Sequence, residues 1–173
     1  DVPAILEGWL LGQAGGGATA DVLFGDVNPS AKLTETIPLR LSDTPAYLDF
    51  PGEFGHVRYG EGLFVGYRWY DARNLEVAYP FGHGLSYTTF SHTDAAVRVT
   101  DSGDLEVTVT VTNTGQRDGR EIVQVYTSLP GSTVQRPVRE LKGFASVALT
   151  AGQSREVAVT VRRADLAYWD IRV

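Results

Sequence analysis

The carboxylates best placed to do chemistry in this sequence are Glu53, Glu61 and Asp71, each standing among aromatic residues. The run Tyr59–Asp71, YGEGLFVGYRWYD, puts five aromatic side chains, two carboxylates and one arginine into thirteen positions. Rings at this density suit the faces of sugar rings, and a carboxylic acid beside them could protonate a leaving oxygen. That chemistry needs two carboxyl groups on opposite sides of the bond, a nucleophile or base and an acid of raised pKa. Desolvation against aromatic rings raises a carboxyl pKa in the required direction. The same residues also describe a buried aromatic strand with a paired arginine. Glu61 and Arg68 have the types of an ion pair, which would lower the carboxyl pKa instead. The structural reading is preferred for Glu61. Glu53, in a loop rich in proline and glycine, is the better candidate for a cleft edge.

Other chemistries find less support. None of the three histidines, His56, His83 and His92, lies in a nucleophile motif or at zinc-ligand spacing. His83 sits between glycines in FGHGL, where a structural hydrogen bond is its expected role, and His92 is expected at the surface. The segment GGGATA, Gly15–Ala20, loosely matches G-x-G-x-x-A, follows an apolar run and opens a helix, as a phosphate cradle does. No Gly-Lys-Ser/Thr follows it, and Glu35 or Asp43 would be poorly placed as a ribose ligand, so a structural turn is preferred. Neither a metal nor a cofactor is expected.

The elements that must position these residues change character along the chain. Ala4–Leu11 is an apolar run suited to a buried strand, Ala18–Phe24 reads as a helix ended by Gly25, and Lys32–Ile37 reads as a strand stopped by Pro38. Residues 39–58 show no period. From Leu63 to Tyr70 the side chains alternate, which predicts a strand covered on both faces. Beyond Phe90 the pattern turns to alternating runs rich in Val and Thr: AAVRVT, LEVTVTVTNTG, REIVQVYTSL, RELKGFASVAL and REVAVTVRRADL. Short strands separated by turn residues predict an antiparallel sandwich. About six strands are recognisable against the seven of an immunoglobulin-like sandwich, so the last strand is expected beyond Val173.

Composition fits this picture. At 43% hydrophobic and 21% charged, the 173 residues are those of a globular chain. A net charge of −6 and scattered basic residues leave no footprint for a nucleic-acid partner. No apolar run is long enough to cross a bilayer as a helix. There is no cysteine, which excludes disulfides and thiolate metal sites and leaves the compartment, secreted or cytoplasmic, unassigned. There is also no methionine, so the chain reads as an excised or processed piece of something longer.

Four blocks then carry a specific resemblance. AILEGWLLGQAGGGATADVLFGDVNPSAKLTETIP resembles the end of the α/β-sandwich domain of glycoside hydrolase family 3. YGEGLFVGYRWYD and YPFGHGLSYTTF match the next two family blocks in order. VTVTNTGQRDGREIVQVY with RPVRELKGFASVAL is similar to the family's fibronectin type III-like domain. Departures are small: Leu11 and Thr34 replace prolines of the family pattern, and Ala31 replaces a glycine.

This resemblance implies a multidomain α+β fold. Residues 1–45 would end the α/β sandwich, 46–85 would form an interdomain linker and strand, and 86–173 would form the fibronectin type III-like sandwich. It implies a retaining exo-acting β-glycosidase of the β-glucosidase kind. The nucleophilic Asp of the family lies in an N-terminal barrel within a Ser-Asp-Trp motif, whereas Ser42-Asp43 is followed here by Thr44. The general acid is a Glu upstream of this segment, which Gly60-Glu61-Gly62 mimics only superficially. No catalytic residue is therefore expected in this chain, and no substrate-binding residue is assigned. The expected partners are the barrel and α/β domains of the same enzyme, joined covalently or as a nicked companion chain, with a broad apolar face on residues 1–80 turned toward them. The competing readings are an independent carbohydrate-binding or adhesive β-module and a nucleotide-binding fragment.

Overall fold

A computed structural model describes residues 2–172. The molecule divides into a loosely structured leader and a β-sandwich. The leader holds helix α1 (Gly15–Phe24), the two-residue strand β1 (Ile37–Pro38), helix α2 (Tyr67–Arg73) and strand β2 (Val77–Tyr79), which pairs antiparallel with β1. The sandwich strands follow as β3 (Phe90–Val99), β4 (Leu105–Asn113), β5 (Gly119–Thr127), β6 (Glu140–Leu149) and β7 (Ser154–Val161). One sheet runs in the order β3-β4-β7 and the other is the pair β5-β6, all antiparallel. Among the described residues the sandwich has five strands, against about six expected. The further strand expected beyond Val173 lies outside the described residues.

The alternation of the β runs is what builds the core. On β4, Val109 and Val111 turn inward while Thr108, Thr110 and Thr112 turn outward, because successive side chains project to opposite faces. Val123 of β5, Val147 and Leu149 of β6 and Val157 and Val159 of β7 complete the cluster. Each fully buried side chain of this size contributes roughly 1.5–3 kcal/mol. Asn113 is the polar member of this face, with no exposed surface. Its amide donates to the Arg117 carbonyl (2.8 Å) and the Leu149 carbonyl (3.1 Å). Its oxygen accepts from the Thr88 hydroxyl (2.7 Å) and the Gly115 N–H (3.2 Å), so every polar atom is satisfied.

Four local expectations are corrected. Ala4–Leu11 is not a strand but irregular coil, and most of its apolar residues are exposed. No other strand of the described residues lies alongside it, and a strand needs a partner to satisfy its backbone. In Lys32–Ile37 only Ile37 enters a strand, although Leu33 exchanges backbone hydrogen bonds with Gly82 and His83 at 2.7 and 2.8 Å. Helix α1 begins at Gly15, three residues before the expected Ala18, and ends as expected at Gly25, which takes a left-handed φ of 83°.

The fourth correction concerns Leu63–Tyr70, predicted as a strand. The chain turns at Gly66, whose φ is +60°, and becomes helical from Tyr67. Asn74 closes the helix in a left-handed conformation. Tyr67 and Tyr70 are three apart and share a face in a helix, so the aromatic spacing serves that geometry as well as alternation. Residues 39–58 are irregular as expected, with a single turn of 3₁₀ helix at Leu41–Asp43 and an isolated bridge between Glu53 and His56.

Candidate functional site

Helix α2 carries the aromatic run onto the outer face of the β5-β6 sheet. Tyr67 stacks on Phe81 with centroids 4.7 Å apart and meets Tyr126 of β5 edge-on at 6.0 Å. The hydroxyl of Tyr67 accepts from the Leu141 N–H of β6 at 2.7 Å. One turn later, Asp71 accepts two hydrogen bonds from the Arg139 guanidinium, at 2.7 and 3.1 Å, in a fork-to-fork pair. Arg139 in turn lies over the Tyr126 ring. Asp71 is thus a tether to the sandwich, and its hydrogen bonds keep Arg139 protonated even more firmly than usual.

The remaining ring positions point the same way. Tyr70 is buried, and burial, reinforced by the charges of Asp43 and Glu35, pushes its phenol pKa up. The Tyr126 phenol is raised chiefly by burial as well. Trp69 donates from its indole N–H to the Asp43 carbonyl at 3.1 Å, with Arg73 over its ring. Between α2 and the sheet lies a cavity of about 40 Å³, lined by Thr36, Tyr67, Tyr70, Asp71, Tyr126 and Arg139 among others. That volume suits a water or two and is far below the 300 Å³ or so of a small-ligand site.

A second clamp joins the Asn28-Pro29 turn to the sandwich. Asn28 donates to the Asp118 carbonyl at 2.9 Å and accepts from the Ser86 hydroxyl and the Tyr87 N–H at 2.9 and 2.8 Å. Lys32 donates to the Gly84 carbonyl at 2.9 Å and stands 3.4 Å from the carboxylate of the buried Glu121. Gln124 of β5 donates to the Gly82 carbonyl at 3.1 Å. A side chain at Gly84 would collide with the Ala31 carbonyl, and Gly82 takes a left-handed φ of 80°, which explains the glycines of FGHGL. His83 holds the clamp through its backbone, and its ring rests 5.5 Å from that of Tyr79.

The carboxylates proposed for chemistry are not brought into one site. Glu53 is exposed in the bridge with His56, whose backbone groups exchange hydrogen bonds at 3.0 and 2.9 Å. Glu61 precedes the helix and forms no ion pair with Arg68, contrary to expectation; among the described residues it forms none at all. Arg68 turns toward the Tyr67 ring with its Nε buried and unpartnered. Among the described residues no three His, Asp or Glu side chains are grouped to hold a metal. Gly15–Ala20 forms the first turns of α1 without a side-chain cap.

The residues that do the joining, Asn28, Lys32, Arg139 and Asn113, were not singled out by motif. Asn113 left a trace nonetheless: it is the one polar residue in register with the inward valines of VTVTVTN.

Comparison with known proteins shows the family to which this arrangement belongs. Residues 1–87, half of the chain, match the model of the glycosyl hydrolase family 3 C-terminal domain. The chain belongs to glycosyl hydrolase family 3. Residues 121–173 match a fibronectin type III-like domain. The chain is 50% identical to thermostable beta-glucosidase B of Acetivibrio thermocellus, over 99% of its own length and 23% of that protein. It is 53% identical to an exo-alpha-(1->6)-L-arabinopyranosidase of Bifidobacterium longum, over 95% of its length and 22% of that protein. The crystal structure of a Bifidobacterium adolescentis GH3 beta-glucosidase superposes with a TM-score of 0.89 at 52% identity, covering 94% of this chain and 24% of that one. The chain thus spans about a quarter of the length of these family 3 relatives, and it corresponds to a C-terminal portion.

Proposed function

We propose that the chain is the C-terminal brace of a retaining, exo-acting β-glycosidase that removes terminal β-D-glucosyl or related residues through a glycosyl-enzyme intermediate. The observation that carries this reading is the end-to-end match of the chain, at 50% identity, to under a quarter of a beta-glucosidase. The nucleophile and the general acid lie outside this chain. In support, Asp71 is bound to Arg139, and Glu53 is exposed on its loop. The division into residues 1–45, 46–85 and 86–173 follows from this reading, with the middle segment bracing the outer two.

The leader has the surface that such a brace needs. Leu10, Leu11, Phe24, Leu48, Phe54 and Tyr59 are all exposed, a breadth of apolar surface that a chain rarely leaves uncovered. The barrel and α/β portions of the same polypeptide are its proposed cover.

Activity on aryl β-D-glucosides and aryl α-L-arabinopyranosides tests the reading. The full-length protein is expected to cleave one of the two, and the purified 18.8 kDa chain neither. Turnover by the isolated chain would sink the assignment of the catalytic pair to other domains. In the full-length protein, Glu53→Gln and Glu61→Gln are expected to retain kcat within about threefold, whereas loss of an essential acid or base costs roughly 10²–10⁴.

A further inference from the structure

Burial sorts the basic side chains of this molecule into those that are compensated and one that is not. Among the described residues, Lys32, Arg68, Arg136 and Lys142 are the lysines and arginines drawn into partial burial, the others being exposed. Lys32 stands 3.4 Å from the Glu121 carboxylate, and Arg136 and Lys142 share Glu140 at 3.1 and 3.3 Å. Arg68 has no such partner. Among the described residues it forms no ion pair, and its Nε is shut off from solvent without an acceptor. A guanidinium stays charged throughout the pH range of a folded protein, so losing water without gaining a counter-charge is costly.

The surroundings of Arg68 hold it in place. Its Cζ lies 5.6 Å from the centroid of the Tyr67 ring, an attraction that leaves the charge uncancelled. Tyr67 is itself fixed, by stacking on Phe81 at 4.7 Å and by the Leu141 N–H at 2.7 Å. Tyr67 and Asp71 turn α2 toward the sandwich. Arg68 and Ala72 share the neighbouring face, where Ala72 is exposed, and Val65 just before the helix is 58% exposed. A pre-positioned arginine beside open apolar surface has the makings of an interface anchor.

We propose that Arg68 grips the cover of the leader by pairing with a carboxylate side chain of the barrel or α/β portion of the same polypeptide. This rests on the reading of the chain as the brace of a longer enzyme, and it names the contact through which the brace is held. Charge complementarity selects the occupant. A backbone carbonyl or a hydroxyl would satisfy Nε and leave the positive charge uncompensated, whereas a carboxylate matches the guanidinium fork and cancels the charge. The pair connects the covering portion, through Arg68, Tyr67 and Leu141, to strand β6.

The test uses the full-length protein. Arg68→Lys places an amine at this position, and a water-soluble carbodiimide joins an amine to a touching carboxylate as an amide, itself taking up the water to become a urea. Mass spectrometry is expected to find a cross-link from position 68 to an Asp or Glu outside residues 1–173, absent from the unsubstituted protein. A cross-link to Glu61 or another acid of these residues would overturn the proposal. So would the absence of a cross-link, whether the amine is freely acetylated, which means open solvent, or protected, which means an uncharged cover. A cross-link that joins two copies and is lost on dilution would overturn it as well. Where Arg68→Lys does not fold, phenylglyoxal is applied to the unsubstituted protein. Arg68 is then expected to lose most of its modification relative to the exposed Arg155, and equal modification would sink the idea. With the acid identified, Arg68→Met alone is expected to lower the urea midpoint, and converting that acid to its amide in the same protein to recover most of the loss. Additive losses would count against the pair. Glycosidase activity, measured on the same samples, reports on the catalytic reading separately, since Arg68 is not assigned to catalysis.

Discussion

The sandwich and the leader differ less in apolar content than in what covers it. Among the described residues, eight of the nine buried hydrophobic residues come from β4, β5, β6 and β7, and Tyr70 is the ninth. In the leader, Leu10 is fully exposed and Phe54 is 98% exposed, with Phe24, Leu48 and Tyr59 close behind. The strands of the sandwich bring their own partner: the inward valines of β4, β5, β6 and β7 in the core cluster meet another sheet of the same chain. Among the described residues the leader has a ten-residue helix, a seven-residue helix, one turn of 3₁₀ helix and strands of two and three residues. Elements so short cannot cover one another, so their apolar surface is addressed to something else. Hydrophobicity specifies that a surface will be buried, and topology decides where the partner is.

The contrast can be broken most sharply inside the sandwich. Val161→Asp places an unpaired charge at a site with no exposure and is expected to cost about 4 kcal/mol or more, unfolding the sandwich in urea melts. An unchanged midpoint would mean that this core is not what holds the fold. Asn113→Ala comes next. It leaves the buried Leu149 carbonyl, the Arg117 carbonyl, the Thr88 hydroxyl and the Gly115 N–H without their partner, at a cost of about 2–3 kcal/mol.

A smaller effect is expected in acid at the start of β6. Glu140 of β6 is flanked by Arg136 at 3.1 Å and Lys142 at 3.3 Å. Burial opposes its ionisation, but the hydrogen bonds from Arg136 and Lys142 together outweigh burial and hold its carboxyl below the ordinary 4.5. A carboxyl depressed in the folded state stabilises fully above its unfolded pKa and loses that contribution as pH falls through the folded value. Stability measured by denaturant should therefore fall below about pH 4.5, and Glu140→Gln should make that fall shallower while lowering stability at neutral pH. An identical acid profile in the variant would remove Glu140 from the account.

The smallest effect separates the two regions. Leu10→Ser is expected to change the stability of this chain by less than about 0.5 kcal/mol, as at other exposed sites. In the full-length protein the same change should cost more than about 1 kcal/mol if the leader is covered there. Equal effects in the two would remove the distinction between sandwich and leader.

Much of the sandwich was legible because period-two alternation in β4 through β7 has one structural meaning once turn residues bound each run. The family was legible from ordered blocks, not from periodicity. Helix α2 was misread because Leu63–Tyr70 alternates over a span too short to distinguish a strand from a helix entered through a turn. The conformation of Gly66 and the packing of Tyr67 on Phe81 and Tyr126 decided it. The carboxylate pairing was misread for a related reason. Arg68 is the arginine nearest to Glu61 on the C-terminal side, but Asp71 finds Arg139, 68 residues away, and no local rule ranks partners at that distance.

The sequence by itself determined which segments form the sandwich, where the chain turns between its strands, and which family it belongs to, because those depend on local pattern and ordered motifs. Only the tertiary structure decided that Tyr59–Asp71 divides into a loop and a helix, that Asp71 is a tether, and that Val97 is open while Val159 is sealed. Those outcomes depend on which surface arrives from elsewhere in the chain, and side chains of identical type on the same face of one sheet meet different fates when only one has an opposing strand.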